Sequence, residues 1–257
     1  MSGLRFASLG SGSSGNALLV QSAGTVVMLD CGFGVAEVNR RLARLGMQVD
    51  ALDAIIVTHE HGDHIGGVAR IARRHHIPVW MSHGTWRGLE STFDEIQVNL
   101  VEGHAAFSVG DVHVEPFPVP HDAREPAQFV FGDGSVRLGV LTDAGESTLH
   151  IERTLAACDG IVLECNHDVD MLARSNYPAR LRRRISSRVG HLDNAAAATL
   201  LSRVAGSRLR HVIAAHLSEQ NNTPELARAA LAAALDCSPD WIGVAYQDNG
   251  FDWRELT

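Results

Sequence analysis

The stretch Thr58-His59-Glu60-His61-Gly62-Asp63-His64 puts four candidate metal ligands, His59, His61, Asp63 and His64, within six positions. Imidazole and carboxylate donors together suit zinc, manganese or iron. So short a stretch cannot easily aim four side chains at one tetrahedral ion. Shared between two neighbouring ions, with further ligands from elsewhere, they fit. The bland alternative is a solvated loop rich in histidine. Against it, matching residues follow several later apolar runs.

Five apolar runs, each predicted to be a strand, are followed by an ionisable residue. After Ala54–Val57 comes the cluster itself, and after Val112–Val119 comes His121. Asp143 follows Val136–Leu141, Glu164 follows Ile161–Leu163, and His216 follows Val212–Ala215. If these strands point the same way, their C-terminal ends share one edge, where ligands bind in α/β sheets. Two ions about 3.5–4 Å apart can share a hydroxide and clamp both oxygens of a displacement. Asp143, isolated from the main cluster and with two oxygens to offer, is the candidate bridge. The alternative for it is a turn-forming aspartate before Gly145.

The elements that must carry these residues follow from the apolar spacing. Strands are predicted at Leu4–Leu9, Ala17–Gln21, Thr25–Asp30, Ala54–Val57 and Val79–Met81, with several short ones between Ile96 and Pro120. Gln128–Phe131 and Val136–Leu141 form a hairpin around Asp133-Gly134. Later strands are Ile161–Glu164 and His211–Ala215. Helices are predicted at Val35–Leu45, Ile65–His75, Thr148–Ala157, Asn194–Val204 and Pro224–Leu235. Asp193 and Thr223-Pro224-Glu225 mark two of their starts. Strands in both halves with helices between them imply an α/β fold of two sheets covered outside by helices. No linker or repeat divides the chain, so residues 1–257 are expected to form a single domain.

Composition excludes several classes. The chain has 257 residues, 45% hydrophobic and 20% charged, ordinary for a globular protein. The net charge is −8 and all 22 basic residues are arginine, which argues against a broad nucleic-acid-binding coat but not against a local basic patch. The four cysteines (Cys31, Cys158, Cys165, Cys237) form no Cys-x-x-Cys pair. They are expected to be reduced and mostly buried, as suits a cytoplasmic protein. The stretch Met1-Ser2-Gly3-Leu4-Arg5 lacks the apolar core of a signal peptide, and no apolar run is long enough to span a bilayer. No membrane partner is therefore expected, and oligomeric state is not legible.

Three features have two readings each. The loop Gly10–Asn16 lacks the Gly-Lys-Ser/Thr of a P-loop. It is either a flexible connection or a backbone nest holding a phosphate, with Ser13 and Asn16 as substrate contacts. Arg180, Arg182, Arg183, Arg184 and Arg188 are either a solvated helix face or a cationic strip for backbone phosphates, in which Arg183 and Arg184 would bind substrate. His167 and Asp168 either support the cleft or contact substrate. Glu164 is expected to hold a histidine in its tautomer rather than bind metal.

The stretch Thr58–His64, followed in order by His121, Asp143 and His216, resembles the signature of the metallo-β-lactamase-fold hydrolases. That resemblance implies an αβ/βα four-layer sandwich. Ser8–Asn16, Glu164–Asp168, Tyr177-Pro178 with its arginine-rich sequel, Gly190–Asn194 and His216–Pro224 resemble the YycJ/WalJ subfamily over nearly the whole chain. The subfamily resemblance implies a 5′→3′ exonuclease using two divalent ions, with DNA favoured over RNA as substrate. It implies one ion on His59, His61 and His121 and a second on Asp63, His64 and His216, with Asp143 bridging. Asp63 would also orient the nucleophile, and His191 would serve the leaving group. Cys165 and Asp193 depart from the pattern, which has alanine and serine there; Asp193 adds a negative charge near the site. A glyoxalase II-like thioester hydrolase would need a Gly-His-Thr-like sequence at His121, where Pro120-His121-Asp122-Ala123 stands instead. A small-molecule phosphodiesterase would use the same residues. A non-catalytic nucleic-acid scaffold would lack ligands, and none is missing.

Overall fold

A computed structural model of the protein describes residues 3–257. Met1 and Ser2, which open the N-terminal stretch that lacks an apolar leader, lie outside the described residues. The described chain forms two seven-stranded sheets. The first contains β1 (Leu4–Gly10), β2 (Ala17–Ser22), β3 (Thr25–Leu29), β4 (Ala54–Ile56), β5 (Val79–Ser82), β6 (Val98–Val101) and, returning from the C-terminus, β14 (Phe251–Leu256). The second contains β7 (Phe107–Val109), β8 (Val112–Pro118), β9 (Ala127–Gly132), β10 (Arg137–Leu141), β11 (Gly160–Glu164), β12 (His211–Ala215) and β13 (Gly243–Val244).

The polar strand ends share an edge because of the pairing directions. β10 runs parallel to β11, and β11 to β12. β9 is antiparallel to both β8 and β10, so β8 points with β10. In the first sheet β3, β4 and β5 are parallel, and β1 joins their direction through the antiparallel β2. The parallel direction expected from the sequence is therefore met.

Apolar alternation explains the layers. Phe6, Val20, Phe129, Phe131, Leu138 and Ile213 interdigitate between the sheets as one shared core. Each fully buried side chain of this size stabilises the fold by about 1.5–3 kcal/mol. On the outer face of the first sheet pack α1 (Val35–Arg44), α2 (Gly62–Ile65), α3 (Val68–His75) and α4 (His83–Arg87). The second sheet carries α5 (Leu149–Leu155), α8 (Asn194–Val204) and α9 (Pro224–Leu235) on its outer face, while α6 (Val169–Arg174) and α7 (Ala179–Ile185) lie in the segment between β11 and α8. Asp193 and Thr223 accept backbone N–H bonds from Ala196 and Leu226, as N-caps should. The result is the four-layer α/β sandwich. No described helix is long and apolar enough to cross a membrane. Cys31, Cys158 and Cys165 are buried free thiols and Cys237 is half-buried; burial pushes Cys31 up to about 12.

One predicted element is corrected. Ile65–His75 is not a continuous helix: α2 ends at Ile65 and α3 begins at Val68. Gly66 and Gly67 interrupt it because the chain there packs directly on a neighbouring loop. A Cβ on Gly67 would lie 1.8 Å from the Phe33 carbonyl oxygen.

Candidate metal centre

The turn after β4 is sewn to two other loops by its backbone. Cys31 N donates to His64 O at 2.7 Å, Gly67 N to Cys31 O at 2.8 Å, and Asn16 N to Asp63 O at 2.8 Å. This fastening aims the side chains of His59 to His64 at the strand ends of the second sheet. There, among the described residues, four overlapping groups form, with the candidate ligand atoms of each within 4.8 Å of one another: His59, His61 and His121; Asp63, His64 and His216; and two that contain Asp143, one with His59 and His64 and one with Glu164, His191 and His216. In the first, His61 Nδ1 lies 3.0 Å from His59 Nε2 and 3.2 Å from His121 Nε2. In the second, Asp63 Oδ2 lies 3.4 Å from both His64 Nε2 and His216 Nε2. Asp143 stands between them. Its Oδ2 is 3.1 Å from His64 Nε2, and its Oδ1 is 3.5 Å from His216 Nε2 and 3.9 Å from His121 Nε2.

The donor set fits divalent cations. His121 Nδ1 meets Gly190 O at 3.0 Å, and His64 Nδ1 meets the Asp30 carboxylate at 2.8 Å. Both partners accept only, so each Nδ1 carries a proton and each Nε2 faces the cluster. Asp143 Oδ2 is buried with His64 Nε2 3.1 Å away. Imidazoles and a carboxylate packed this closely away from water need protons or cations between them. Divalent metal binding is what this chemistry supports.

Protonation carries the same message. Burial, with help from the neighbouring histidines, pushes His59 well below its ordinary value. Burial also lowers His121. For His64 burial works downward, but Asp143 and Asp30 outweigh it and hold it well above. His216 is likewise held up, to about 9, by Asp143 and Asp63 against burial. Burial would raise Asp143, yet His216 and His64 keep it well below the carboxylate range. Cations entering here would displace those histidine protons, so binding is coupled to proton release.

Three of the seven described non-glycine residues with positive φ lie here. Asp30 (φ 59), Asp143 (φ 53) and His216 (φ 54) are non-glycine residues in the left-handed region, each just past a strand end. Such conformations cost about 1–3 kcal/mol and persist where the surroundings enforce them.

The cleft in front of the cluster has a volume of about 390 Å³. His191 lies on its wall. Its Nδ1 is 2.8 Å from Glu164 Oε1 and 3.5 Å from Asp143 Oδ1, and its ring stacks on that of His216 with 5.4 Å between centroids. Burial lowers His191, but Glu164 and Asp143 outweigh it and raise it above its ordinary value. Glu164 Oε2 also accepts from Ala144 N and Leu192 N, so this carboxylate orients its neighbours as expected.

The predicted substrate contacts separate. Ser13 and Arg184 line the cleft. Asn16 does not offer free atoms to it: its side chain is bonded to Ser11 Oγ, Gly12 N and Gly12 O, and lies near Asp63 and His64. The phosphate nest is also corrected. The amides of Gly10, Ser11, Gly12, Ser14, Gly15 and Asn16 all donate within the protein, to groups including Tyr246 O and Gln247 Oε1. His167 and Arg183 line a neighbouring pocket on the other side of α7, with Asp193. Two of the five arginines of the cationic strip are ion-paired. Arg184 pairs with Asp122 at 2.5 Å, Arg188 pairs with Glu146 at 2.7 Å, and Arg182 donates to the carbonyls of Ala173 and Ser175.

Several contributors escaped sequence reasoning. Asp30 orients His64 and accepts from Thr58 N and Oγ1, while Thr58 Oγ1 is 2.9 Å from His59 Nδ1. The signal existed: Asp30, too, is an acid directly after a buried apolar strand. Gly190 O and Asn166, whose Nδ2 donates to His216 O, had no such signal.

Comparison with known proteins places this geometry in context. A family model described as a beta-lactamase superfamily domain matches residues 25–216. The exodeoxyribonuclease YycJ of Bacillus anthracis is 34% identical over 256 residues, covering 97% of this chain and 96% of that protein. The exodeoxyribonuclease WalJ of Streptococcus pneumoniae serotype 2 (strain D39 / NCTC 7466) is 32% identical, covering 95% and 93%. Among solved structures, the metallo-beta-lactamase fold protein YhfI from Bacillus subtilis superposes with a TM-score of 0.78 at 14% identity, covering all of both chains, a likeness of fold.

Proposed function

The chain belongs to the beta-lactamase superfamily, in the group of the YycJ and WalJ exodeoxyribonucleases, and on that premise we propose that it is a metal-dependent 5′→3′ exonuclease acting on DNA. One observation carries the reading: two groups of ligand atoms share Asp143 in a single cleft that also holds His191. His59, His61 and His121 would hold one divalent ion, zinc or manganese, with iron as the further choice. Asp63, His64 and His216 would hold a second, with Asp143 placed between the two sets. When bound, such ions polarise phosphoryl oxygens and make water nucleophilic at neutral pH. Asp63 orients the attacking water as well as binding metal. His191 supplies the proton that the departing oxygen needs. Its Nδ1 is taken up by Glu164, which leaves Nε2 to donate, and Glu164 and Asp143 favour its protonated form against burial. The core that the two sheets share supports reading the described residues as one domain. The free cysteines suit the reducing cytoplasm.

A manganese-supplemented digest of end-labelled DNA and RNA, with free or phosphorylated 5′ ends, tests the proposal. Stepwise loss of nucleotides from the 5′ end of DNA is the expected result. Cleavage of a small phosphodiester with neither polymer shortened would replace it with a small-molecule phosphodiesterase.

A further inference from the structure

Resting on the nuclease reading, we propose that Tyr177 is the platform on which the terminal base of the substrate stacks, so that the cleft accepts an end whose last base is unpaired. The segment that carries it is built unlike the other helices. α7 has no fully buried residue. Its apolar side chains, Leu181 and Ile185, are four apart and only half-buried, and Tyr177 precedes them by the same interval. All three line the cleft that holds Asp63, Asp143 and His191. A helix normally turns such an apolar face to the core, whereas α7 turns it to the space before the ligand cluster.

The tyrosine has nothing else to do. Among the described residues its ring pairs with no other aromatic ring and its hydroxyl makes no hydrogen bond. It is nevertheless held in place. Pro178 fixes the backbone beside it, Tyr177 N donates to Ser175 Oγ, and Arg182 braces the turn through the carbonyls of Ala173 and Ser175. A positioned aromatic surface loses little entropy on binding. Every base presents a π-face, so stacking tolerates any sequence, as removal of successive nucleotides requires. The cleft volume of about 390 Å³ is at the low end for small-ligand sites, the scale of a nucleotide rather than a duplex. Arg184, the cation on the same wall, is already paired with Asp122, which leaves more of the grip on the end to the ring.

The test is a double comparison in steady-state kinetics. Wild type, Tyr177→Ala and Tyr177→Phe each act on a 5′-phosphorylated oligodeoxynucleotide with a normal or a reduced abasic terminal residue, and separately on methyl p-nitrophenyl phosphate. Stacking of this kind predicts that the abasic end raises the wild-type KM by roughly 5- to 100-fold. Tyr177→Ala should raise KM on the normal end by a similar factor, with little further loss on the abasic one. Tyr177→Phe should behave as wild type, and kcat on the small diester should be unchanged throughout. Equal wild-type KM on the two ends would overturn the stacking proposal and leave the nuclease reading standing. So would a Tyr177→Ala loss of the same size on both ends. Release of nucleotides from neither oligonucleotide by wild type would overturn the nuclease reading and this proposal with it.

Discussion

The two edges of the sandwich solve opposite problems. At the edge where β10 and β11 begin, the charges are joined in ordinary ion pairs. Arg137 pairs with Glu115 at 2.7 Å, and Arg208 pairs with Asp159 at 3.0 Å. Asp159 also accepts from Arg137 N at 2.8 Å. At the edge where the same strands end, imidazoles and carboxylates crowd together: three imidazole nitrogens lie within 3.2 Å contacts, and Asp143 sits against His64 and His216. The left-handed residues Asp30, Asp143 and His216 all belong to this second edge. One edge pairs arginines with carboxylates near the surface; the other gathers buried metal-type donors whose titration their neighbours shift strongly. Ion pairs alone therefore do not mark function. A buried cluster of perturbed titratable groups does.

The comparison is broken most severely at Asp143. Asp143→Ala should remove metal from both groups and lower kcat/KM by at least roughly 10³-fold, the equivalent of several kcal/mol of charge stabilisation. Metal analysis beside kinetics checks it, and retention of full metal content would rule out the bridging role. Asp30→Asn keeps an acceptor beside His64 but loses the charge. It should weaken metal affinity about 10- to 100-fold, with activity recovered in excess metal. A titration of activity against free manganese reads this directly.

A third change sharpens the role of His191. Its protonated form is favoured by Glu164, so Glu164→Gln should lower the His191 pKa. Activity that needs the proton is lost as pH rises through that value. The alkaline limb of kcat/KM against pH should therefore move to lower pH in the variant. An unmoved limb would remove His191 as proton donor. The smallest effect belongs to the opposite edge. Glu115→Gln breaks a half-exposed pair and should cost at most about 1 kcal/mol in denaturant unfolding, with metal content and kcat/KM unchanged.

Much of this was legible in the chain. The cap residues Asp193 and Thr223 started helices where expected, because a cap is a local bond spanning three residues. Helices α8 and α9 and strand β12 matched their predicted bounds. The break at Gly66-Gly67 did not, because glycine reveals that a backbone can come close but not which backbone does. The nest at Gly10–Asn16 failed for a similar reason. Gln247, more than 200 positions away in sequence, takes the Ser14 amide.

Sequence alone determined the chemistry on offer: donors placed directly after apolar runs, which the shared strand direction then delivers to one edge. It also determined the covering helices, through apolar spacing and caps. Only tertiary structure decided which nitrogen of each histidine faces the cluster, since Asp30, Gly190 and Glu164 set that across large separations in the chain. Packing also decided that Arg184 is held by Asp122 and that Tyr177 is turned to the cleft. Bonds between neighbours in sequence are written in residue order, whereas bonds between neighbours in space depend on the register and packing of two whole sheets.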